Sequence, residues 1–246
     1  MMRIVDSATC IGVRPEDDRA LDAATLVSEM DRAGVAEALT THFGAVRYDA
    51  STGNSAVMEI CRTQPRLHPV AVVNPTPYIG VAEEVARCVR EGCVGFRFLP
   101  ISQGWSLESE TFRLVLEAVS GAGLPLTVEL GSSSDATRMA RLARGLSVPV
   151  ILAGVTYGTM GEAVAVLRRQ DNLHLEACRL VTPGIVELLA SEVGAERLLF
   201  GSGAPYWEVT PTLDMIRHAD ISEESREAIL GGNARRIYRL GSGGQP

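Results

Sequence analysis

The chain has 246 residues, of which 46% are hydrophobic and 22% are charged, values ordinary for a soluble globular protein with one sizeable core. This composition argues against intrinsic disorder and against membrane-spanning segments. Thirty acidic residues against 23 basic ones give a formal net charge of −7, and no basic stripe follows the chain. We therefore expect neither nucleic acid nor a membrane as a partner.

All 23 basic residues are arginines, because the sequence contains no lysine. Schiff-base enzymes, pyridoxal-phosphate enzymes and Walker-type phosphate loops are thereby excluded, since each needs a lysine amine. The five cysteines lack the paired spacing of zinc ribbons; they are Cys10, Cys61, Cys88, Cys93 and Cys178. The segment MMRIVDSATC has no apolar signal-peptide region, so we expect a cytoplasmic protein with reduced thiols.

Short β-branched runs alternate with longer helical patterns along the chain, as in repeated βα units. Strands are predicted at 3–8, 35–41, 68–73, 94–99, 125–130, 148–153, 172–177 and 197–202. Helices are predicted at 22–33, 54–64, 80–91, 108–122, 134–145, 159–170, 182–193 and 210–219. This α/β pattern favours a single (β/α)8 TIM barrel over residues 1–240, followed by a flexible tail at 241–246. The alternative, a doubly wound open sheet, lacks its glycine-rich turn after strand one, where the sequence reads SATCIG.

A closed barrel places its active site at the carboxyl ends of the strands, so side-chain alternation identifies the residues that face the interior. In strand four, VGFRFLP, Phe96 and Phe98 share the helix-facing side, and Arg97 faces the interior. Glu129 faces the interior at the end of strand five, LPLTVELG. In strand seven, NLHLEAC, the interior positions are His174, Glu176 and Cys178. Burial of a polar group in a barrel interior costs free energy unless the group is hydrogen-bonded, ion-paired or in contact with a ligand.

Four segments, LPLTVELG, VPVILAGV, LLFGSGAP and GNARRIYRL, stand in the order and spacing seen in amidohydrolase-related barrels. The chain resembles that family over its whole length, which implies a TIM barrel with hydrolase or decarboxylase chemistry. In the family, a divalent metal that activates water is held by side chains at five positions. These are two histidines of strand one, one histidine each of strands five and six, and an aspartate of strand eight.

All five ligand positions are changed in this chain. By the resemblance they fall on Ala8, Cys10, Glu129, Gly154 and Gly203. Three of these offer no coordinating atom, and a thiol and a carboxylate from distant strands make a weak site. The flanking scaffold is retained at Asp6, Gly12, Gly201, Ser202, Pro205, Asn233 and Ala234. The resemblance thus implies a divergent member that lacks the metal ligands, and we expect neither a metal nor another cofactor.

The last interior residue of each strand and the first residues of its loop form a polar cup with an aromatic rim. Within this cup, Arg97, Glu129 and His42 are the candidate catalytic residues. The candidate ligand-pocket residues are Cys10, Asn74, Tyr157, Glu176, Ser202 and Trp207. The small residues at positions 8, 154 and 203 are expected to enlarge the cup, so that an organic ligand descends deeper.

Several of these candidates also have a structural interpretation. Arg97 and Glu129 lie on adjacent strands, and a buried ion pair between them is favoured over a catalytic pair. His174, near the start of its strand, is interpreted as a core histidine. His42 ends a strand, so a contact with a ligand stays open for it. Trp207 fits a ligand contact and a subunit contact equally.

Two classes of function stay open. In the first, the protein is a non-catalytic relative that binds a small molecule or pairs with another subunit, either its own copy or an active homologue. In the second, it is a metal-independent hydrolase of the lactonase type that acts on a small substrate with a carboxylate or carbonyl group. Arg97 would hold that group while Glu129 or His42 transfers a proton. Convergence of these three side chains on one open cavity indicates a catalyst, whereas mutual pairing and capping indicate a scaffold.

Overall fold

The computed structural model describes residues 2–14, 16 and 20–241. The strands are β1 Ile4–Val13, β2 Ala20–Leu21, β3 Val35–His42, β4 Leu67–Val72, β5 Gly95–Phe98, β6 Leu126–Glu129, β7 Val150–Ala153, β8 Leu173–Glu176 and β9 Leu198–Leu199. The helices are α1 Ala23–Ala33, α2 Phe43–Arg47, α3 Ala50–Thr63, α4 Val81–Arg90, α5 Pro100–Gln103, α6 Glu110–Gly121, α7 Ser133–Leu142, α8 Met160–Leu167, α9 Ile185–Val193, α10 Val209–Arg217, α11 Glu223–Glu227 and α12 Asn233–Ile237. Within these described ranges, no helix has the length and apolar character that crossing a bilayer requires.

Strands β1 and β3 to β9 form a parallel sheet in chain order, and β2 adds a short antiparallel pairing at the end of β1. The sheet closes because the chain after β9 returns to β1. Ser7 N donates to the carbonyl of Phe200 at 2.9 Å, and Thr9 forms a parallel bridge with Ala204. Closure of eight parallel strands, with helices in the connections, confirms the predicted α/β fold of the TIM-barrel type.

The predicted and observed elements differ where capping and loop contacts set the boundaries. Helix α3 begins at residue 50 rather than 54, because the Asp49 carboxylate caps it by accepting a hydrogen bond from Thr52 N at 2.7 Å. Strand β1 extends beyond the predicted end at residue 8, because it pairs with β3 as far as Ile11 and then with β2. Of the predicted tail, residues 242–246 lie outside the described residues.

The core has two layers, one on each side of the sheet. Outside the barrel, Phe98 packs edge-on against Phe112 of α6, with ring centroids 5.1 Å apart. Inside, the end of the barrel at the amino ends of the strands is filled by an apolar cluster that includes α12; its members include Val5, Leu39, Val70, Ile151, Leu199, Ile237 and Tyr238. We call this cluster the lower layer. The Tyr238 hydroxyl shares a hydrogen bond of 3.0 Å with Thr127 Oγ1, so this end of the barrel is sealed by packing.

His174 lies on the interior face of β8, in register with Ile151 of the lower layer. The residue is only 6% exposed, and its Nδ1 atom lies 3.3 Å from the carbonyl oxygen of Asn172. Burial lowers the pKa of His174 to about 4, so the ring is neutral at physiological pH. The interpretation of His174 as a core histidine is confirmed.

Candidate ligand-binding site

A cavity of about 370 Å³ opens at the carboxyl ends of the barrel strands. It brings together five of the predicted site residues, namely Cys10, Arg97, Glu129, Glu176 and Trp207. The small residues at positions 8, 154 and 203 also line it, so the five positions that the resemblance assigns to metal ligands face one space. We call this space the mouth cavity.

An ion pair lines the mouth cavity. Arg97 Nη2 donates to Glu176 Oε1 at 2.7 Å, and Arg97 Nη1 donates to the carbonyl of Ser7 at 3.4 Å. Both side chains are nearly removed from water, with 14% of the Arg97 side chain and 2% of the Glu176 side chain exposed. Burial raises the pKa of Glu176, and the neighbouring guanidinium opposes that rise. Strand alternation correctly placed Arg97 inside the barrel, and the pair fixes its guanidinium there.

The predicted pairing of Arg97 with Glu129 is wrong. The Glu129 carboxylate accepts two hydrogen bonds from Ser102 instead, from its backbone N at 3.0 Å and from its Oγ at 3.1 Å. Ser102 belongs to α5, a single helical turn in the loop after β5 that the strand-and-helix pattern does not reveal. The partner of Arg97 lies on β8, because interior side chains of a barrel meet across it as well as between neighbouring strands.

Asp6 joins the strands where the barrel closes, beside the mouth cavity. Its Oδ1 atom accepts hydrogen bonds from Ala8 N at 3.0 Å and from Ser202 N at 2.9 Å. The Ser202 hydroxyl accepts a hydrogen bond from Ala204 N at 3.0 Å. Burial raises the pKa of Asp6, and the bonds from Ser202 act against that rise. The retained family residues Asp6 and Ser202 thus hold the wall in shape.

Four predicted site residues lie outside the mouth cavity as the described residues form it: His42, Asn74, Tyr157 and Ser202. The Nδ1 atom of His42 accepts a hydrogen bond from Gly44 N at 3.0 Å and thereby caps α2. Asn74 Oδ1 accepts a hydrogen bond from Thr76 N at 3.0 Å within its own loop. Tyr157 is 72% exposed in the loop after β7. Local hydrogen bonds of this kind, which the sequence interpretation did not consider, direct two of these side chains into their own loops.

Two thiols line the mouth cavity, those of Cys10 and Cys178. Burial raises the pKa of each thiol to about 12, so both stay protonated at neutral pH. A protonated thiol is a poor nucleophile. Over residues 2–14, 16 and 20–241, no three side chains of the types His, Cys, Asp and Glu are grouped so as to hold a metal ion.

Arg179 is a wall residue that the sequence analysis missed. It follows β8 with a backbone φ of 72°, in the left-handed region that non-glycine residues seldom adopt. Its side chain is exposed and, among the described residues, forms no hydrogen bond or ion pair. The signal that identifies it is its position, three residues after Glu176 at the carboxyl end of a barrel strand.

The rim of the mouth cavity is aromatic, as predicted, and one side of it is firmly held. Tyr206 packs edge-on against Phe43, with ring centroids 5.6 Å apart, and its hydroxyl donates to Glu16 at 3.2 Å. Glu16 also pairs with Arg47 at 2.6 Å. Trp207 is 55% exposed beside them, so its ring presents a free apolar face to the opening.

The two glycines in the wall are required by the backbone as well as by space. Gly154 and Gly203 have φ values of 74° and 79°, where an L side chain is strained. A Cβ at Gly154 would lie 2.9 Å from the carbonyl oxygen of Leu130, and one at Gly203 would lie 2.7 Å from Cys178 Sγ. The expectation that these positions simply enlarge the cup omitted this constraint on the loops.

This fold and its polar cavity define a TIM-barrel protein with an open cavity at the carboxyl ends of the strands, where barrel enzymes have their active sites. The family model described as Amidohydrolase matches residues 9–240, and the chain belongs to that family. A comparison with curated protein sequences found no significant match.

Several crystal structures share this fold. The 2,6-dihydroxybenzoate decarboxylase from Rhizobium is 19% identical, with a TM-score of 0.80 over 98% of this chain and 99% of that one. The dihydroxybenzoic acid decarboxylase from Polaromonas sp. JS666, with bound manganese and 2-nitroresorcinol, is 19% identical, with a TM-score of 0.77 over 98% of each chain. A probable 2-pyrone-4,6-dicarboxylic acid hydrolase from Acinetobacter baumannii, with bound citric acid, is 13% identical, with a TM-score of 0.73 over 97% and 100%. At these identities the similarity establishes the fold.

Proposed function

We propose that this protein is a metal-independent member of the amidohydrolase family that binds a small organic acid in the mouth cavity. The observation that carries the proposal is the ion pair between Arg97 and Glu176, which lines the same cavity as the five positions that the resemblance assigns to metal ligands. The guanidinium engages the Glu176 carboxylate and so withholds it from a divalent cation, while its other N–H groups suit an anionic ligand.

The side chains around the cavity do not fit a catalytic divalent metal. Such a site needs three or four coordinating groups in set geometry. Ala8, Gly154 and Gly203 offer no coordinating side-chain atom, Glu176 is engaged by Arg97, and Glu129 is engaged by Ser102. These side chains therefore do not support chemistry on a bound divalent metal.

The class of ligand follows from charge and size. Arg179 contributes a guanidinium without a partner among the described residues, which suits a carboxylate that enters from the opening. The exposed face of Trp207 suits the apolar or aromatic part of such an acid. A cavity of about 370 Å³ is within the range of small-molecule sites. The compounds named with the structural relatives, 2,6-dihydroxybenzoate, 2-pyrone-4,6-dicarboxylic acid and citric acid, belong to the same chemical class.

Binding without turnover is favoured because the candidate proton-transfer groups are occupied by structural bonds. Glu129 accepts two hydrogen bonds from Ser102, and His42 caps α2 outside the cavity. A second candidate function, metal-independent hydrolysis, is favoured by one observation, which is that the Glu129 carboxylate lines the same cavity as Arg97. In that case Glu129 would act as the general base.

The proposal is tested by elemental analysis and titration calorimetry on the purified chain, with 2,6-dihydroxybenzoate and citrate as probes. We expect no stoichiometric divalent metal, no change of the melting temperature with a chelator, and binding of at least one carboxylate. Arg179→Gln should weaken that binding about tenfold, because a charge-assisted hydrogen bond is lost. The matched control is Arg90→Gln, an exposed arginine that lies in the last turn of α4 and does not line the mouth cavity.

Two outcomes would overturn the proposal. One is a bound equivalent of metal whose removal by chelator lowers the melting temperature. The other is hydrolysis of 2-pyrone-4,6-dicarboxylate that persists with chelator and is lost in Glu129→Gln, which would establish the second candidate function instead. Carboxylate binding that is equal in the parent chain and in Arg179→Gln would show that the ligand site lies elsewhere.

A further inference from the structure

A second cavity, of about 740 Å³, lies on the outer surface between α7 and α8. Its lining includes the last turns of both helices and Asn172, which immediately precedes β8. This groove therefore lies near the amino ends of β7 and β8, whereas the mouth cavity lies at the carboxyl ends of the strands. We call it the α7–α8 groove.

Four arginines line the α7–α8 groove: Arg141, Arg144, Arg168 and Arg169. All four are exposed. Arg168 pairs with Glu192 at 3.1 Å, and the other three side chains form no hydrogen bond or ion pair within the described part of the chain. Among the described residues no acidic side chain contributes to the lining, although the whole chain carries a net charge of −7. The groove is thus a concentrated positive patch on an acidic protein.

The usual structural reason for such arginines does not account for them. Arginines are common at helix carboxyl ends, where they satisfy the last carbonyl groups and the helix dipole. Here the carbonyl groups at and after the ends of α7 and α8 accept hydrogen bonds from other residues. Asn172 Nδ2 donates to the carbonyls of Ala143 at 3.1 Å and Leu146 at 3.0 Å. Arg197 Nη2 donates to those of Leu167 at 3.1 Å and Gln170 at 2.6 Å. The guanidinium groups of Arg141, Arg144 and Arg169 are left available for a ligand.

The groove combines these guanidinium groups with an apolar wall that includes Leu146 and Val166. We propose that the α7–α8 groove binds a small ligand that carries a diphosphate group, either free diphosphate or a nucleoside diphosphate. Guanidinium groups match phosphate oxygens in paired, charge-assisted hydrogen bonds, and several of them suit more than one phosphate. The apolar wall supplies a surface for a nucleoside. A local groove on a chain of net negative charge favours such a ligand over a nucleic acid, which needs an extended basic surface.

The test is titration calorimetry of the full chain with inorganic pyrophosphate and with ADP, at low and at high salt. Binding of both probes that weakens at high salt is the expected result, since exposed charges are screened. Tighter binding of ADP would support the nucleoside diphosphate as the ligand, and equal binding would support free diphosphate. The double variant Arg144→Gln/Arg169→Gln should bind about 100-fold more weakly, which is about tenfold for each arginine.

The matched control is Arg90→Gln. Arg90 is exposed in the last turn of α4, so this variant removes the same charge from the same kind of helix end outside the groove. Ala165→Glu is a second variant, which keeps all four arginines and adds a carboxylate to an exposed lining position; it should also abolish binding. The proposal fails if neither probe binds, if the double variant binds as the parent does, or if a single-stranded oligonucleotide binds more tightly than ADP.

Discussion

The two ends of the barrel interior differ in chemistry, and strand β8 spans both. At its start, His174 is neutral and lies in register with Ile151 of the lower layer. At its end, Glu176 is buried in an ion pair with Arg97 beneath the mouth cavity. Two residues along one strand thus separate a packed, uncharged region from a buried pair of charges.

The two ends of the barrel interior contribute differently to the free energy of folding. Burial of apolar side chains in the lower layer is favourable without any partner of defined geometry. Burial of Arg97 and Glu176 is costly, and their mutual attraction offsets that cost only while both are present. The ion pair is therefore weak evidence for stability, whereas the apolar packing of the lower layer stabilises the fold directly.

The largest expected effect comes from breaking the pair. Arg97→Met should lower the free energy of unfolding by about 3–5 kcal/mol, because it leaves the Glu176 carboxylate buried without its cationic partner. The double variant Arg97→Met/Glu176→Met should lose less than either single variant, since no uncompensated charge remains. Urea unfolding at neutral pH measures all three values.

A surface pair provides the control for this cycle. Arg62 and Glu59 form an ion pair on the surface, with 58% and 70% of their side chains exposed. Removal of Arg62 should cost less than about 1 kcal/mol, because water solvates the remaining carboxylate. Equal costs at the two pairs would show that the charges in the mouth cavity are solvated, and the contrast between the two ends of the barrel would disappear.

The burial of His174 beside the lower layer predicts that the free energy of unfolding depends on pH. The size of this effect is of about the same order as that of Arg97→Met. His174 has a folded pKa of about 4, below its ordinary value of 6.5, because it is buried. Between these two values the unfolded chain binds a proton that the folded chain does not. Its contribution to stability is therefore lost as the pH falls from about 6.5 to about 4, by on the order of 3 kcal/mol.

The difference in unfolding free energy between the parent and His174→Gln, measured from pH 7 to pH 4, isolates this contribution. Buried carboxyl groups such as Glu176 titrate in both proteins and cancel in the difference. His218→Gln is the control, because His218 is exposed at the end of α10. A difference that stays constant with pH would mean that the His174 ring is hydrated.

The fold could be predicted from the sequence because strand alternation reports directly on the two faces of a sheet. Phe96 and Phe98 face the helices and Arg97 faces the interior, as their order indicated. The partner of Arg97 could not be predicted, since it depends on how the closed barrel brings β5 and β8 together. Glu129 is engaged by Ser102, whose short helix has no amphipathic repeat to reveal it.

The α7–α8 groove was hidden from the sequence for a similar reason. Its four arginines occur in two pairs, at 141 and 144 and at 168 and 169, with strand β7 and helix α8 between them. Along the sequence they form no basic stripe. Packing of α7 against α8 places them around one groove, so the patch is a property of the fold.

A smaller effect on the free energy of unfolding is expected from the hydrogen bond between Tyr238 and Thr127 at the lower layer. Tyr238→Phe removes the hydroxyl that shares a hydrogen bond of 3.0 Å with Thr127 Oγ1. Both residues are buried, so the variant leaves the Thr127 hydroxyl without this partner and should cost about 1–2 kcal/mol in urea unfolding. Tyr157→Phe is the control, because Tyr157 is 72% exposed and its hydroxyl contacts water. If both variants cost the same, the hydroxyl of Tyr238 does not contribute to the packing of the lower layer.

The smallest effect on the free energy of unfolding is expected from Glu129 in the mouth cavity. The sequence analysis favoured an ion pair between this residue and Arg97. Glu129→Gln should cost about 1 kcal/mol or less, because Glu129 is only partly buried and an amide oxygen still accepts a bond from Ser102. Combined with Arg97→Met, its effect should add to within about 0.5 kcal/mol, since the two side chains share no partner. Urea unfolding of the two single variants and the double variant measures this coupling. Coupling as large as that between Arg97 and Glu176 would mean that Glu129 and Arg97 interact in solution, and the ion pair of the cavity would then be a triad of one cation with two carboxylates.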